Sequence, residues 1–80
     1  MTRSLDATRS PMAFFGAELR RVRVAAGLSQ DQLGQKLVFS GDMVGKIETS
    51  ERAPTPDFAA RCDGAFPHLD GLFTRLLELA

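Results

Sequence analysis

The chain has 80 residues, 44% hydrophobic and 25% charged, with ten Lys or Arg balanced by ten Asp or Glu. This length makes one small domain with an economical core, and the composition excludes an intrinsically disordered chain. The zero net charge argues against binding a polyanion by bulk electrostatics.

Residues 1–10 show neither a strand nor a helix period and are expected to form a flexible N-terminal tail, with the domain occupying 11–80. Ser10-Pro11 then offers an N-cap and a first-turn proline. Phe15, Leu19, Val22 and Ala26 follow at the spacing of an amphipathic stripe, which Gly27 ends. Ser29 with Gln32 makes a capping box, flanked by Leu28 and Leu33 as a hydrophobic staple, and Leu37 continues the buried side. After Val38-Phe39, Ser40 caps a third helix that directs Val44, Ile47 and Glu48 to one face. Gly41, Asp42, Gly45 and Lys46 then occupy the other face. Thr55-Pro56-Asp57 starts a fourth helix lined by Phe58, Cys62, Ala65 and Phe66, and Asp70 is placed to cap a fifth. No strand alternation persists, so the fold class is all-α with five short helices.

Single Cys62 and single His68 exclude an internal disulfide and a cysteine-based metal site. With no nucleophile paired to a base, no catalytic residue, cofactor or enzymatic activity is expected. No apolar run suits a membrane span and no apolar segment forms a secretory signal, so the cytoplasm is the expected compartment. Residues 1–52 carry eight Lys or Arg against six Asp or Glu, whereas 53–80 carry two against four. Any basic face therefore comes from Arg20, Arg21, Arg23, Lys36, Lys46 and Arg52.

The stretch GLSQDQLGQKLVFSGDMVGKIE resembles the helix-turn-helix of Xre-type, phage-repressor-like DNA-binding domains. Arg23, Gly27, Leu28, Ser29, Gln30, Leu33, Gly34, Ile47 and Glu48 fall in register with that pattern, and the likeness extends from about Phe15 to Ala80. The segment KIETSERAPTPDFAARCDGAF is similar to actinobacterial, antitoxin-like Xre regulators in which the domain leads a longer chain. The resemblance implies the N-terminal part of a longer regulator. It also implies a compact five-helix, repressor-like domain that binds double-stranded DNA sequence-specifically as a homodimer. The recognition helix, about 40–48, would enter the major groove while the second helix lies across the backbone. By the same resemblance Gln30 and Ser40 contact the DNA backbone, and Gly41, Asp42 and Lys46 face the bases. Thr49 and Arg52 follow where phosphate contacts are common, and Arg23 and Glu48 form an ion pair joining helix one to helix three. Val38 departs from the family's turn glycine, and Ser50-Glu51 from its usual glycine and basic residue, which removes one phosphate contact.

Several residues keep two readings. Asp42 can accept from a cytosine amino group, or stabilise the helix N-terminus while pairing with Lys46 one turn later. Gly41 and Gly45 either bare the helix for close approach to the groove or are simply tolerated in a packed domain. Arg3 and Arg9 make either a minor-groove arm or a solvated tail, and Cys62 is expected in the core. In the last helix Leu72 and Leu76 are expected to close the core. Phe73, Leu77 and Ala80 then form a possible dimer or partner surface. An alternative function is a protein-interaction module that holds a small protein partner and binds DNA weakly.

Overall fold

Hydroxyl side chains start four of the five helices in the computed structural model, which describes residues 10–79. Helix α1 spans Pro11–Ala25, α2 Gln30–Leu37, α3 Gly41–Glu48, α4 Pro56–Ala65 and α5 Leu72–Glu78, with a 3-10 turn at Pro67–Leu69. The described residues contain no strand. Ser10 Oγ accepts from the Ala13 N–H at 3.3 Å, Ser40 Oγ from Met43 at 3.1 Å, and Thr55 Oγ1 from Phe58 at 3.1 Å. At Ser29 the box is reciprocal: its hydroxyl accepts from the Gln32 N–H at 3.0 Å, and Gln32 Oε1 accepts from the Ser29 N–H at 2.8 Å. Each such cap satisfies an orphan donor and contributes about 1 kcal/mol. Gly27, at φ 75°, turns the chain out of α1.

The fifth helix starts differently from the sequence expectation. Asp70 does not cap it: Asp70 takes a left-handed φ of 60°, and Gly71 at the N-cap offers no side chain. Asp63 of α4 supplies the cap from a distance in sequence. Its carboxylate accepts from the Phe73 and Thr74 N–H groups at 2.9 and 3.1 Å, and from the Thr74 hydroxyl. One buried-side acid therefore both satisfies α5 and ties it to α4.

The core draws on all five helices, with Phe15, Leu19, Leu33, Val44, Ile47, Phe58, Cys62 and Phe73 among its fully buried members. The Phe15 ring lies 5.3 Å from Phe73 and 6.4 Å from Phe58, an aromatic contact that joins α1 to α4 and α5. Two expectations about stripes are corrected here. Ala26 is exposed because α1 has already ended one residue earlier. Phe73 is not a surface residue but wholly buried, and Leu72 is only half-buried. The left-handed pair Asp70-Gly71 sets the phase of α5 so that Phe73 and Leu76 point inward.

Helix α3 is wedged between the backbones of α1 and α2. A Cβ on Gly34 would stand 2.6 Å from the Ser40 carbonyl carbon, and one on Gly16 would stand 2.5 Å from the Ile47 oxygen. No side chain larger than hydrogen fits at either contact without moving α3. The connection between α2 and α3 passes through Val38 in a left-handed conformation, φ 61° and ψ 41°, with its side chain 75% exposed. A β-branched residue there carries about 1–2 kcal/mol of strain, where glycine would carry none. Arg61 braces this turn from α4: it donates to the Leu37 carbonyl at 3.3 Å, pairs with Asp57 at 3.1 Å and lies 5.5 Å over the Phe39 ring.

Residues 1–9 of the tail expected over 1–10, with Arg3 and Arg9, and Ala80 lie outside the described residues, whereas Ser10 caps α1. No described helix is long and apolar enough to cross a membrane. Asp63→Ala should lower stability to urea denaturation by about 1–2 kcal/mol, because it removes the carboxylate that caps α5.

Candidate functional site

The outward surface of α3 is smaller than its sequence implies. Val44 and Ile47 are fully buried, Met43 packs half-buried on the core, and the Glu48 side chain is only 2% exposed. Gly41 and Gly45 do not present a bare outer face. A Cβ on Gly41 would lie 2.9 Å from the Asp31 Cα, and one on Gly45 would lie 3.2 Å from the Gln30 amide. Both glycines are therefore covered by the first turn of α2, a close approach that periodicity within α3 cannot reveal. What remains exposed on α3 is Asp42 and Lys46. Asp42 Oδ2 and Lys46 Nζ are 3.2 Å apart, with side chains 76% and 47% exposed.

Glu48 organises the other side of the helix. Arg23 Nε donates to its Oε2 at 2.6 Å and Arg23 Nη2 to its Oε1 at 3.2 Å, while Gln30 Nε2 donates to Oε1 at 3.1 Å. Arg23 also donates to the Leu28 carbonyl at 2.9 Å. The guanidinium thus fixes the α1–α2 connection and the end of α3 together. Gln30 keeps its carbonyl oxygen and its second amide N–H for a ligand, held in place by the first N–H.

Of the remaining sequence-predicted site residues, Ser40 is engaged as the α3 cap, with its hydroxyl hydrogen still available to donate. Thr49 is the C-cap residue of α3. Its hydroxyl donates toward the Gly45 carbonyl at 3.1 Å and lies 2.9 Å from a Glu51 oxygen. Arg52 is exposed beside it, its backbone N–H bonded to the Lys46 carbonyl at 3.2 Å. Gln30, Asp31, Gly41, Asp42, Gly45, Lys46 and Glu51 line one shallow polar depression of about 290 Å³. It brings together Gln30, Gly41, Asp42 and Lys46 of the sequence-predicted set, and leaves Ser40, Thr49 and Arg52 outside its lining. Asp31, an acidic residue in the first turn of α2, was given no role by sequence reasoning and joins this lining. Three carboxylates and one ammonium make this face acidic.

The far end of the domain is apolar. Leu77, half-buried, lines one shallow depression with Pro56, Ala59 and Thr74, and another with Pro11, Met12 and Pro54. Leu79 beyond it is 72% exposed. Of the expected partner surface Phe73 is excluded by burial, Leu77 is accessible, and Ala80 is not described. Cys62 is buried, and desolvation, followed by the neighbouring Asp63 charge, pushes its thiol up to about 12. It stays protonated at neutral pH and serves as a small apolar residue.

A family model described as a helix-turn-helix domain matches residues 15–66, which run from Phe15 in α1 to Phe66 at the end of α4. No curated protein and no solved structure matches the chain. Arg23→Ala should cost about 3 kcal/mol or more in chemical denaturation, because it strands the buried Glu48 carboxylate with only the Gln30 amide.

Proposed function

Since the chain belongs to the helix-turn-helix domain family, we propose that it is a sequence-specific DNA-binding domain of an Xre-type transcriptional regulator. Helix α3 enters the major groove, about 12 Å wide and able to admit one helix. The observation that carries this reading is the setting of α3: glycine contacts at Gly16 and Gly34 hold its inner face while Asp42 and Lys46 stand out from its other side. Gln30 at the start of α2 and Ser40 at the start of α3 are disposed to donate to phosphates at the edges of the groove, where helix dipoles add attraction. Thr49 and Arg52 serve the backbone on the other side. The protein works as a homodimer on a two-part site, since one acidic, lightly charged face is a weak binder alone.

A second reading is favoured by a specific observation. Asp31, Asp42 and Glu51 surround the single Lys46, an arrangement that repels phosphate and suits a module whose main task is to hold a protein partner. The two readings separate experimentally. Duplexes selected from a random pool at low salt should bind better than unselected ones; equal binding removes the DNA reading. Lys46→Ala should weaken binding to the selected duplex by about 1–3 kcal/mol if the ammonium reads a base. If it meets only phosphate, the loss is similar on every duplex and the salt dependence flattens. Leu77→Glu should convert the dimer to monomer in sedimentation velocity and abolish the advantage of a two-part site over a half-site. Loss of a co-purifying protein on Leu77→Glu, with its retention on Lys46→Ala, supports the partner-holding module instead.

A further inference from the structure

Of the eight residues of α3, only Asp42 and Lys46 are exposed, so any side-chain readout by this helix passes through one carboxylate and one ammonium. We propose that Asp42 is the specificity-determining residue of this interface, selecting cytosine, with Lys46 taking the guanine paired to it. The inference rests on α3 lying in the major groove. An ionised carboxylate only accepts hydrogen bonds, and an ammonium only donates. In the groove cytosine offers its N4 amino donor, guanine offers the O6 and N7 acceptors, and thymine offers an acceptor beside a methyl group. Asp42 is therefore repelled by guanine and thymine. Adenine presents a donor, but its N7 acceptor faces the second carboxylate oxygen, so cytosine is the better partner.

The spacing of the two head groups matches one base pair. Cytosine N4 and guanine O6 are neighbours, hydrogen-bonded to each other across the pair, and Asp42 Oδ2 and Lys46 Nζ stand 3.2 Å apart. The pair on α3 thus forms an acceptor-donor image of the donor-acceptor edge of a C·G pair. An A·T pair shows the same order of donor and acceptor, but places N7 against the carboxylate and the methyl against the ammonium. Both side chains are exposed and their mutual attraction is weak, so each is free to exchange its partner for a base. Gly41 and Gly45 lie under the first turn of α2, which leaves Asp42 and Lys46 as the side chains that project from α3. Asp42 has a second consequence that follows from its charge. It lowers affinity for every duplex, so discrimination is obtained by rejecting wrong bases more than by attracting the right one.

The test is selection from a randomised duplex pool by the wild-type protein, Asp42→Asn and Lys46→Ala, each checked for unchanged thermal unfolding. The wild type should enrich cytosine about tenfold over the other bases at one position of each half-site. Asp42→Asn should move that preference off cytosine, toward adenine, whose N6 and N7 an amide matches, and should bind unselected duplex several-fold tighter. Lys46→Ala should weaken the preference for C·G over A·T at that position while keeping the rejection of thymine and guanine under Asp42. If Asp42→Asn enriches the same cytosine as the wild type, the inference is overturned while DNA binding stands. If the wild type enriches no duplex at all, both fall.

Discussion

A buried carboxylate at the wrong end of a helix is the constraint on which this domain depends. Glu48 sits in the last turn of α3, where the helix dipole is negative, and its side chain is almost fully removed from water. Both features disfavour the charge. The Arg23 guanidinium and the Gln30 amide offset them, and those partners come from α1 and α2. Three helices therefore meet on one carboxylate. Such a pair adds little net stability compared with apolar packing, but losing one partner is costly, which makes it a device for position. Turning α3 by one residue, about 100°, would take Glu48 off Arg23 and drive charged side chains toward the core. The identity of the exposed residues, Asp42 and Lys46, follows from where Glu48 is buried.

Steric fit reinforces the electrostatic constraint. Gly16 lets α1 touch the carbonyls at the end of α3, and Gly34 lets α2 touch the chain at its start. The aromatic group of Phe15, Phe58 and Phe73 then fixes α4 and α5 behind α1. Asp63 and Arg61, both on α4, finish the two weakest joints: the uncapped start of α5 and the strained Val38 turn. The result is a stiff support for a helix whose free surface is small and lies within an acidic face. A surface of that kind forgoes affinity from phosphate attraction.

The parts legible in the sequence were those decided within a few residues. Ser10, Ser29, Ser40 and Thr55 cap helices through their own neighbours, so four helix starts could be read directly. The start of α5 was misplaced because its cap, Asp63, is remote in sequence, while the nearby Asp70 has the right chemistry in the wrong conformation. Phe73 was assigned outward because apolar residues in this helix occupy several directions and leave its phase undetermined; the Asp70-Gly71 turn decides it. The roles of Gly16, Gly41 and Gly45 were not legible either. A glycine records that something is close, and only the packed structure shows what. At the candidate site the residue types were visible, but the coverage of α3 by Gln30 and Asp31, and the acidity of the resulting face, required the arrangement of α2 on α3.

The surface proposed to meet DNA is α3 with the turn of α2 beside it. The most direct measurement is the change in backbone amide resonances of isotope-labelled protein on titration with a duplex enriched from a random pool. Contact of this surface with DNA should concentrate the changes at Gln30, Asp31, residues 40–46 and 49–52, with α5 unaffected at positions remote from any dimer contact. Changes confined to Leu77 and its neighbours on α5, with the amides of Asp42 and Lys46 unmoved, would contradict it.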